Sequence, residues 1–192
     1  MKKIQIEDVL DLTAYEKQRN DIRPKIIEIK NQRRIHVGPK VTYLFENYDT
    51  MWYQVQEMTR AERIVDEEGI KGELNAYNEL IPDTNQLSAS MLIEIDDMDE
   101  RKSFLSKILD LPQHTYLEVD GERIVPSFDP RQGSEDKLSS VQYLKFDLTE
   151  AQVQKFNQTE SNVILGFDHS LYTHQQELTN EQKSTFYQDM TN

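Results

Sequence analysis

The sequence predicts an α+β domain in which N-terminal helices pack on a mostly antiparallel sheet with intervening helices. In the first 80 or so positions, apolar residues recur at helical spacing, whereas from Leu87 to Ile95 they alternate with mostly polar neighbours, as in a half-buried strand. Asp120–Gly121 between two short apolar segments is a hairpin signal. We expect one α+β domain over residues 1–174 and a peripheral helix or tail over 175–192.

The N-terminal segment predicts two helices with a break between them. Thr13 and Glu16 have the spacing of a capping box, so a helix is expected to begin just after Thr13. Proline suits the first turn of a helix and is poorly tolerated in its interior. Pro24 therefore predicts a break near Asn20–Asp21 and a second helix from about Arg23 to Arg34.

The stretch from Val41 to Pro82 contains the single Trp and four of the nine Tyr, and the other elements are predicted around it. Within it we predict a strand at Val41–Phe45, a turn at Glu46–Asp49, and helices at about Thr50–Val65 and Ile70–Tyr77. Further along the chain we predict strand Leu87–Ile95, a helix capped by Asp99, hairpin strands Tyr116–Val119 and Arg123–Val125, an exposed loop over Phe128–Lys137 that includes Gly133, strand Val141–Leu148, a helix capped by Thr149 and Gln152, and a last strand at Val163–Phe167.

Composition and charge restrict the classes of partner. The net charge of −13 makes a nucleic-acid partner unexpected, because phosphate binding depends on Lys and Arg. Between Lys17 and Lys40, however, eight basic residues stand against only Asp21 and Glu28. This basic segment is either a solvated helix face or a surface that attracts an acidic partner or phosphorylated ligand.

The chain has no cysteine, which excludes disulfides, thiolate nucleophiles and cysteine-ligated iron–sulfur clusters of its own. The N-terminus lacks the apolar core of a secretory signal, and no run approaches the roughly 18 apolar residues of a membrane helix. We expect a cytoplasmic protein with no membrane partner.

Several blocks of the sequence are similar to a known bacterial family. They are YLFENYDTMWYQVQEMTRAERI, LNAYNELIPD, SASMLIEI and GFDHSLY, preceded by IEDVLDLTAYEKQR and RRIHVGPKVTYLFEN. Together they resemble the family known as domain of unknown function 3501, from the N-terminus to about Tyr172. The resemblance carries over no activity and no catalytic residue. It implies a setting in redox or peroxide handling, beside a rubrerythrin-type di-iron protein and an iron–sulfur oxidoreductase.

Glu57, Arg60 and Arg63 form the first candidate cluster, on one flank of the central helix with Glu62. They are either a surface ion-pair lattice or a carboxylate held by arginines that orients or binds an anionic ligand.

Asn75, Tyr77 and Asn78 form the second candidate cluster. Their amide and phenol groups either position a small polar substrate or satisfy backbone groups at a helix end.

Asp168 and His169, directly after the last predicted strand, form the third. A histidine beside a carboxylate can act as a general base, and His169 is a weak candidate for a metal ligand. The chain lacks the paired Glu-x-x-His motifs of a di-iron site.

These observations support two functional hypotheses. The first is an accessory protein that docks onto a rubrerythrin-like or iron–sulfur partner through the basic segment and the aromatic residues of 41–58. The alternative is a small-molecule or metal-dependent enzyme with Glu57, Arg60, Tyr77 and Asn78 around a pocket and Asp168 and His169 as acid/base groups or ligands. The sequence identifies no cofactor, and it leaves open whether the chain associates with itself.

Overall fold

Six α-helices and two antiparallel sheets make up the part of the chain that the computed structural model describes, which is residues 1–132, 134 and 136–191. The helices are α1 (Leu12–Gln32), α2 (Tyr48–Glu62), α3 (Glu67–Asn78), α4 (Met98–Leu105), α5 (Glu150–Phe156) and α6 (Asn180–Thr191). The strands are β1 (Arg34–Val37), β2 (Val41–Phe45), β3 (Gln86–Ile93), β4 (Thr115–Val119), β5 (Glu122–Ile124), β6 (Ser127–Phe128), β7 (Val141–Asp147), β8 (Val163–His169) and β9 (Tyr172–Glu177). Short 3₁₀ turns lie at Ile6–Asp8 and Leu111–His114.

The strands form a five-stranded sheet in the order β1-β2-β3-β7-β6 and a four-stranded sheet in the order β5-β4-β8-β9. Every pairing among the described strands is antiparallel. The α+β class is therefore confirmed, with the strands divided between two sheets.

The main core lies between the two sheets. Side chains of one face of the five-stranded sheet, such as Tyr43 and Phe45, are fully buried. Tyr43 contacts Phe167 of the other sheet at 5.6 Å between ring centroids, and Phe45 contacts Phe186 of α6 at 4.5 Å. Because successive side chains of a strand point to opposite faces, the residues between them face the other way, toward α2 and α3.

That second face carries a row of residues paired across three strands: Leu44 lies opposite Ser90, and Ser90 opposite Tyr143. Above it, α2, α3 and the N-terminus form a second, smaller apolar cluster that includes Met51, Val55 and Leu74.

The predicted break in the first helix is wrong, since α1 is continuous from Leu12 to Gln32 with Pro24 inside it. Its N-cap is Asp11, whose side chain accepts from the Ala14 amide. Pro24 is exposed, so its ring meets solvent rather than a packed neighbour, while Tyr15 and Ile26 are buried on either side of it. Tertiary packing on both sides overrides the local preference for a break.

Three strands were not predicted. Ser127–Phe128, at the start of the loop expected over Phe128–Lys137, is β6, which pairs with β7. Arg34–Val37, taken as the end of a helix and its exit, is β1, which pairs with β2 through the turn at Gly38. Val163–Phe167 is not the last strand, because Tyr172–Glu177 pairs with β8 as β9. The exposed, polar side chains of β9 leave no alternation for a sequence pattern to detect.

The C-terminal segment differs from the expected peripheral helix or tail. It completes β9 and then forms α6, whose Phe186 and Met190 are fully buried in the main core. Strand β2, the Asp120–Gly121 hairpin and the capping box of Thr149 with Gln152 are confirmed. Gly133 of the predicted loop over 128–137 lies outside the described residues, as do Glu135 and Asn192.

Candidate functional site

Glu57 lies where α1 packs on α2. Its carboxylate accepts hydrogen bonds from the Tyr15 hydroxyl at 2.6 Å and from Arg19 at 2.7 and 2.9 Å. The hydrogen bonds from Arg19, with smaller contributions from Tyr15 and the charge of Arg60, lower the pKa of Glu57 to about 2 against the opposing effect of burial. Arg60 reaches the same carboxylate at 3.4 Å. The contacts from Tyr15 and Arg19 join α1 to α2, whereas the contact from Arg60 lies within α2, so Glu57 forms a clamp between two helices.

The remaining candidates of the first two clusters separate in space. Arg63 is the exposed C-cap of α2, with a left-handed backbone (φ 54°), and Asn75 is exposed on α3. Asn78 makes two hydrogen bonds with the backbone of Ile4, at 2.8 and 2.9 Å, and so holds the N-terminal segment against α3. Of the candidates in these two clusters, only Tyr77 lines the concavities between the helical layer and the five-stranded sheet.

Asp168 and His169 point to opposite sides of β8, the first exposed and the second buried. They meet indirectly: His114 lies 3.1 Å from Asp168 and 3.2 Å from Asp110, which in turn lies 3.2 Å from His169. Arg123 donates to Asp168 at 2.9 Å. This polar network does not share a partner with the one around Glu57 in the described part of the chain. Nor do the described residues contain a group of three or more His, Asp or Glu side chains that could hold a metal ion.

Two adjoining concavities lie between the helical layer and the second face of the five-stranded sheet, and together we call them the interlayer cleft. An inner hollow of about 240 Å³ lies under α1 and α2, and an outer hollow of about 640 Å³ opens beside α3 and β7. They share the side chains of Tyr77, Leu80 and Tyr143 and so adjoin one another. The outer hollow has the size of a site for a small organic ligand.

Glu46 forms the floor of the inner hollow and is only 4% exposed. It follows β2 directly, and its two carboxylate oxygens accept from the hydroxyls of Ser90 and Thr50, both at 2.6 Å. Burial raises the pKa of Glu46, because desolvation disfavours its charged form, while the two hydroxyls and the charges of Lys30 and Arg33 oppose the shift.

Lys30 approaches the same hollow from the last turn of α1, and Arg34 approaches it from the start of β1. Burial lowers the pKa of Lys30, the charge of Glu46 opposes this shift, and the charge of Arg34 adds to it. The pKa values of an acid and a base that line one hollow are thus both displaced toward neutrality. Such displacement is typical of groups that transfer protons in active sites.

The sequence patterns predicted Tyr77 for this cleft and missed Glu46, Lys30 and Tyr143. Glu46 was assigned to a turn and Lys30 to the basic segment. One signal was present: Ser88 and Ser90 occupy the alternate positions of β3, on a face that is buried and yet polar. A buried polar face needs partners, and Glu46 supplies one.

Comparisons with known proteins identify the family. The family model described as "Protein of unknown function (DUF3501)" matches residues 3–190. The chain belongs to this family.

A crystal structure similar to that of this DUF3501 chain is described as a novel protein of unknown function from Burkholderia pseudomallei K96243. It is 28% identical, the match covers 98% of this chain and 100% of that one, and the TM-score is 0.91. No curated protein matches the chain. These relatives support the fold across the whole chain and name no activity.

The described part of the chain contains no helix that is long and apolar enough to cross a membrane.

Proposed function

We propose that this protein binds a small organic molecule in the interlayer cleft and that Glu46 exchanges a proton with it. One observation carries the proposal: an ionisable carboxyl that is 4% exposed lines a cleft that Lys30 also lines. A buried glutamate in a purely structural role would be expected to end in a closed core. Here it borders a hollow that opens to solvent past Tyr77 and Tyr143.

Binding in the cleft can be tested by filling it. Ala76 lines the outer hollow, whereas its neighbour Asn75 is exposed on α3 and does not line it. We expect Ala76→Trp to abolish the thermal stabilisation that a library of small organic acids, amides and amines produces in the wild-type protein. The matched variant Asn75→Trp should leave each dissociation constant within about twofold. Ligands that bind Ala76→Trp as well as wild type would place binding elsewhere.

The proton exchange has a separate test. If Glu46 changes protonation when a ligand binds, the calorimetric heat will depend on the ionisation enthalpy of the buffer. Glu46→Gln keeps the size of the side chain and removes the ionisation, so the dependence should shrink in this variant and persist in Glu62→Gln, whose side chain is exposed. An unchanged dependence in Glu46→Gln would assign the proton to another group.

The docking hypothesis has weaker support from the described residues of the basic segment. Arg19, Arg33, Arg34 and Lys40 each lie within 4.0 Å of a carboxylate oxygen. Lys30 lines the cleft, which leaves Lys17, Arg23 and Lys25 as the exposed remainder. Docking onto a rubrerythrin-like or iron–sulfur partner in the cytoplasm thus stays a prediction from the family resemblance, to be tested by native pull-down and mass spectrometry.

A further inference from the structure

The inner hollow brings together two cations in a chain whose net charge is −13. Lys30 is half-buried, and the described residues provide its ammonium group with no hydrogen bond and no carboxylate within 4.0 Å. Its Nζ lies 5.5 Å from the centroid of the Tyr53 ring. Arg34 is close enough for its charge to lower the pKa of Lys30 further. Two like charges whose side-chain donors make no hydrogen bond among the described residues favour an anion between them.

The carboxylates near these cations are engaged elsewhere. Glu46 uses its oxygens for the hydroxyls of Ser90 and Thr50, and it makes no ion pair within 4.0 Å among the described residues. Arg34 approaches Glu94 only at 4.0 Å, which is too long for a hydrogen bond. Lys30 has no carboxylate within 4.0 Å and Arg34 has only Glu94 at that limit, so the side-chain donors of both cations make no hydrogen bond among the described residues. A single carboxylate has two oxygens that can accept from both groups.

The outer hollow has a different character. Its walls include the aromatic rings of Tyr77, Phe128 and Tyr143, and Tyr143 is 40% exposed at the opening. Flat aromatic walls favour a ring as their occupant. Three charged residues also line this hollow, Glu79, Asp129 and Lys145, and Asp129 is paired with Arg131. The outer hollow thus offers an anion one cation whereas the inner hollow offers two, so the acidic end of a ligand is directed inward.

Building on the proposed function, we propose that the ligand is an aromatic carboxylate. Its carboxylate lies in the inner hollow against Lys30 and Arg34, and its ring lies in the outer hollow between Tyr77 and Tyr143. In this orientation Glu46 faces the atoms next to the carboxylate, where a proton transfer would act on the ligand.

Three compounds that differ only in charge test this class: 3-phenylpropionate, 3-phenylpropanamide and 3-phenylpropylamine, titrated calorimetrically into the full chain. We expect the acid to bind about tenfold more tightly than the amide or the amine. Lys30→Met and Arg34→Met should each reduce the acid to within about threefold of the amide. Lys25→Met, which changes an exposed residue of the same helix, should preserve the preference.

The other outcomes overturn the inference in distinguishable ways. If the amide or amine binds as tightly as the acid and Ala76→Trp blocks it, the cleft is the site and the ligand class is wrong. If both Lys30→Met and Arg34→Met still bind the acid more tightly than the amide, other cations bind the carboxylate of the ligand. If Ala76→Trp changes the binding of none of the three compounds, the ligand class and the proposed function both fail.

Discussion

At the scale of single residues, Glu46 and Glu57 show how surroundings decide what a carboxyl group can do. Glu57 accepts from Arg19 and Tyr15, and these bonds keep it ionised with a pKa of about 2. Glu46 has two hydroxyl partners and is more deeply buried, so its pKa moves upward. The first group is suited to holding two helices together and the second to exchanging a proton.

This contrast predicts a pH-dependent stability difference for Glu57→Gln. The folded pKa of about 2 lies below the ordinary 4.5, so the stabilisation is complete above pH 4.5 and is lost as the pH falls toward 2. Because the side chain is one-fifth exposed, we discount the full shift and expect Glu57→Gln to lower the free energy of unfolding by about 2 kcal/mol at pH 7. Urea denaturation at several pH values measures it.

Glu62→Gln, at the exposed end of the same helix, is the control and should change stability by less than about 0.5 kcal/mol. A difference between wild type and Glu57→Gln that stays constant from pH 7 to about pH 2 would contradict the assigned linkage.

At the scale of elements, α1 connects the two candidate regions of the molecule. Tyr15 and Arg19 in its N-terminal half form the clamp with Glu57, and Lys30 in its last turn lines the interlayer cleft. Pro24 lies between them and removes one backbone hydrogen bond from the helix. Contacts at both ends thus maintain a helix that the local sequence disfavours.

Pro24→Ala should therefore stabilise the protein, because it restores the missing donor at an exposed position. We expect the free energy of unfolding to rise by about 1–3 kcal/mol. Proline also restricts the unfolded chain and stabilises the protein in that way, and losing this contribution reduces the gain. Chemical denaturation measures it, with Lys25→Ala as the neighbouring exposed control. Destabilisation by Pro24→Ala would mean that the restriction of the unfolded chain is the larger effect.

At the scale of the whole molecule, the five-stranded sheet separates two apolar clusters, each of which packs different elements together. The larger one joins the two sheets and includes Phe186 and Met190 of α6, while the smaller one holds α2 and α3 above the cleft. Arg33, also buried, pairs with Asp189 of α6 and donates to the Phe45 carbonyl at 2.9 Å. The last helix is thus tied to the sheet by apolar and charged contacts.

Truncating a side chain of α6 tests its place in the core. Phe186 is fully buried and contacts Phe45, so Phe186→Ala should lower the free energy of unfolding by about 3–5 kcal/mol. Gln188→Ala, exposed on the same helix, should change it by less than about 0.5 kcal/mol. A loss below about 1 kcal/mol for Phe186→Ala would show that α6 is peripheral after all. Urea denaturation of both variants provides the comparison.

Local patterns in the sequence determined most of the elements and the fold class. Four signals depend on near neighbours in the chain, and each predicted its element: the apolar and aromatic residues of β2, the alternation through β3, the Asp120–Gly121 turn and the capping box at Thr149. Where a segment lacked such a local pattern, as in β9, or where packing outweighed it, as at Pro24, the prediction was wrong.

The candidate site depended on contacts between distant parts of the chain. Lys30, Glu46, Tyr77 and Tyr143 come from four different segments, and only the register of β2, β3 and β7 under the helical layer brings them to one cleft. The shifted pKa of Glu46 likewise results from burial, which no spacing of residues encodes. The sequence by itself therefore determined most of the elements, the fold class and the family. The tertiary structure decided which polar residues meet, because their partners are separated along the chain and joined only by folding.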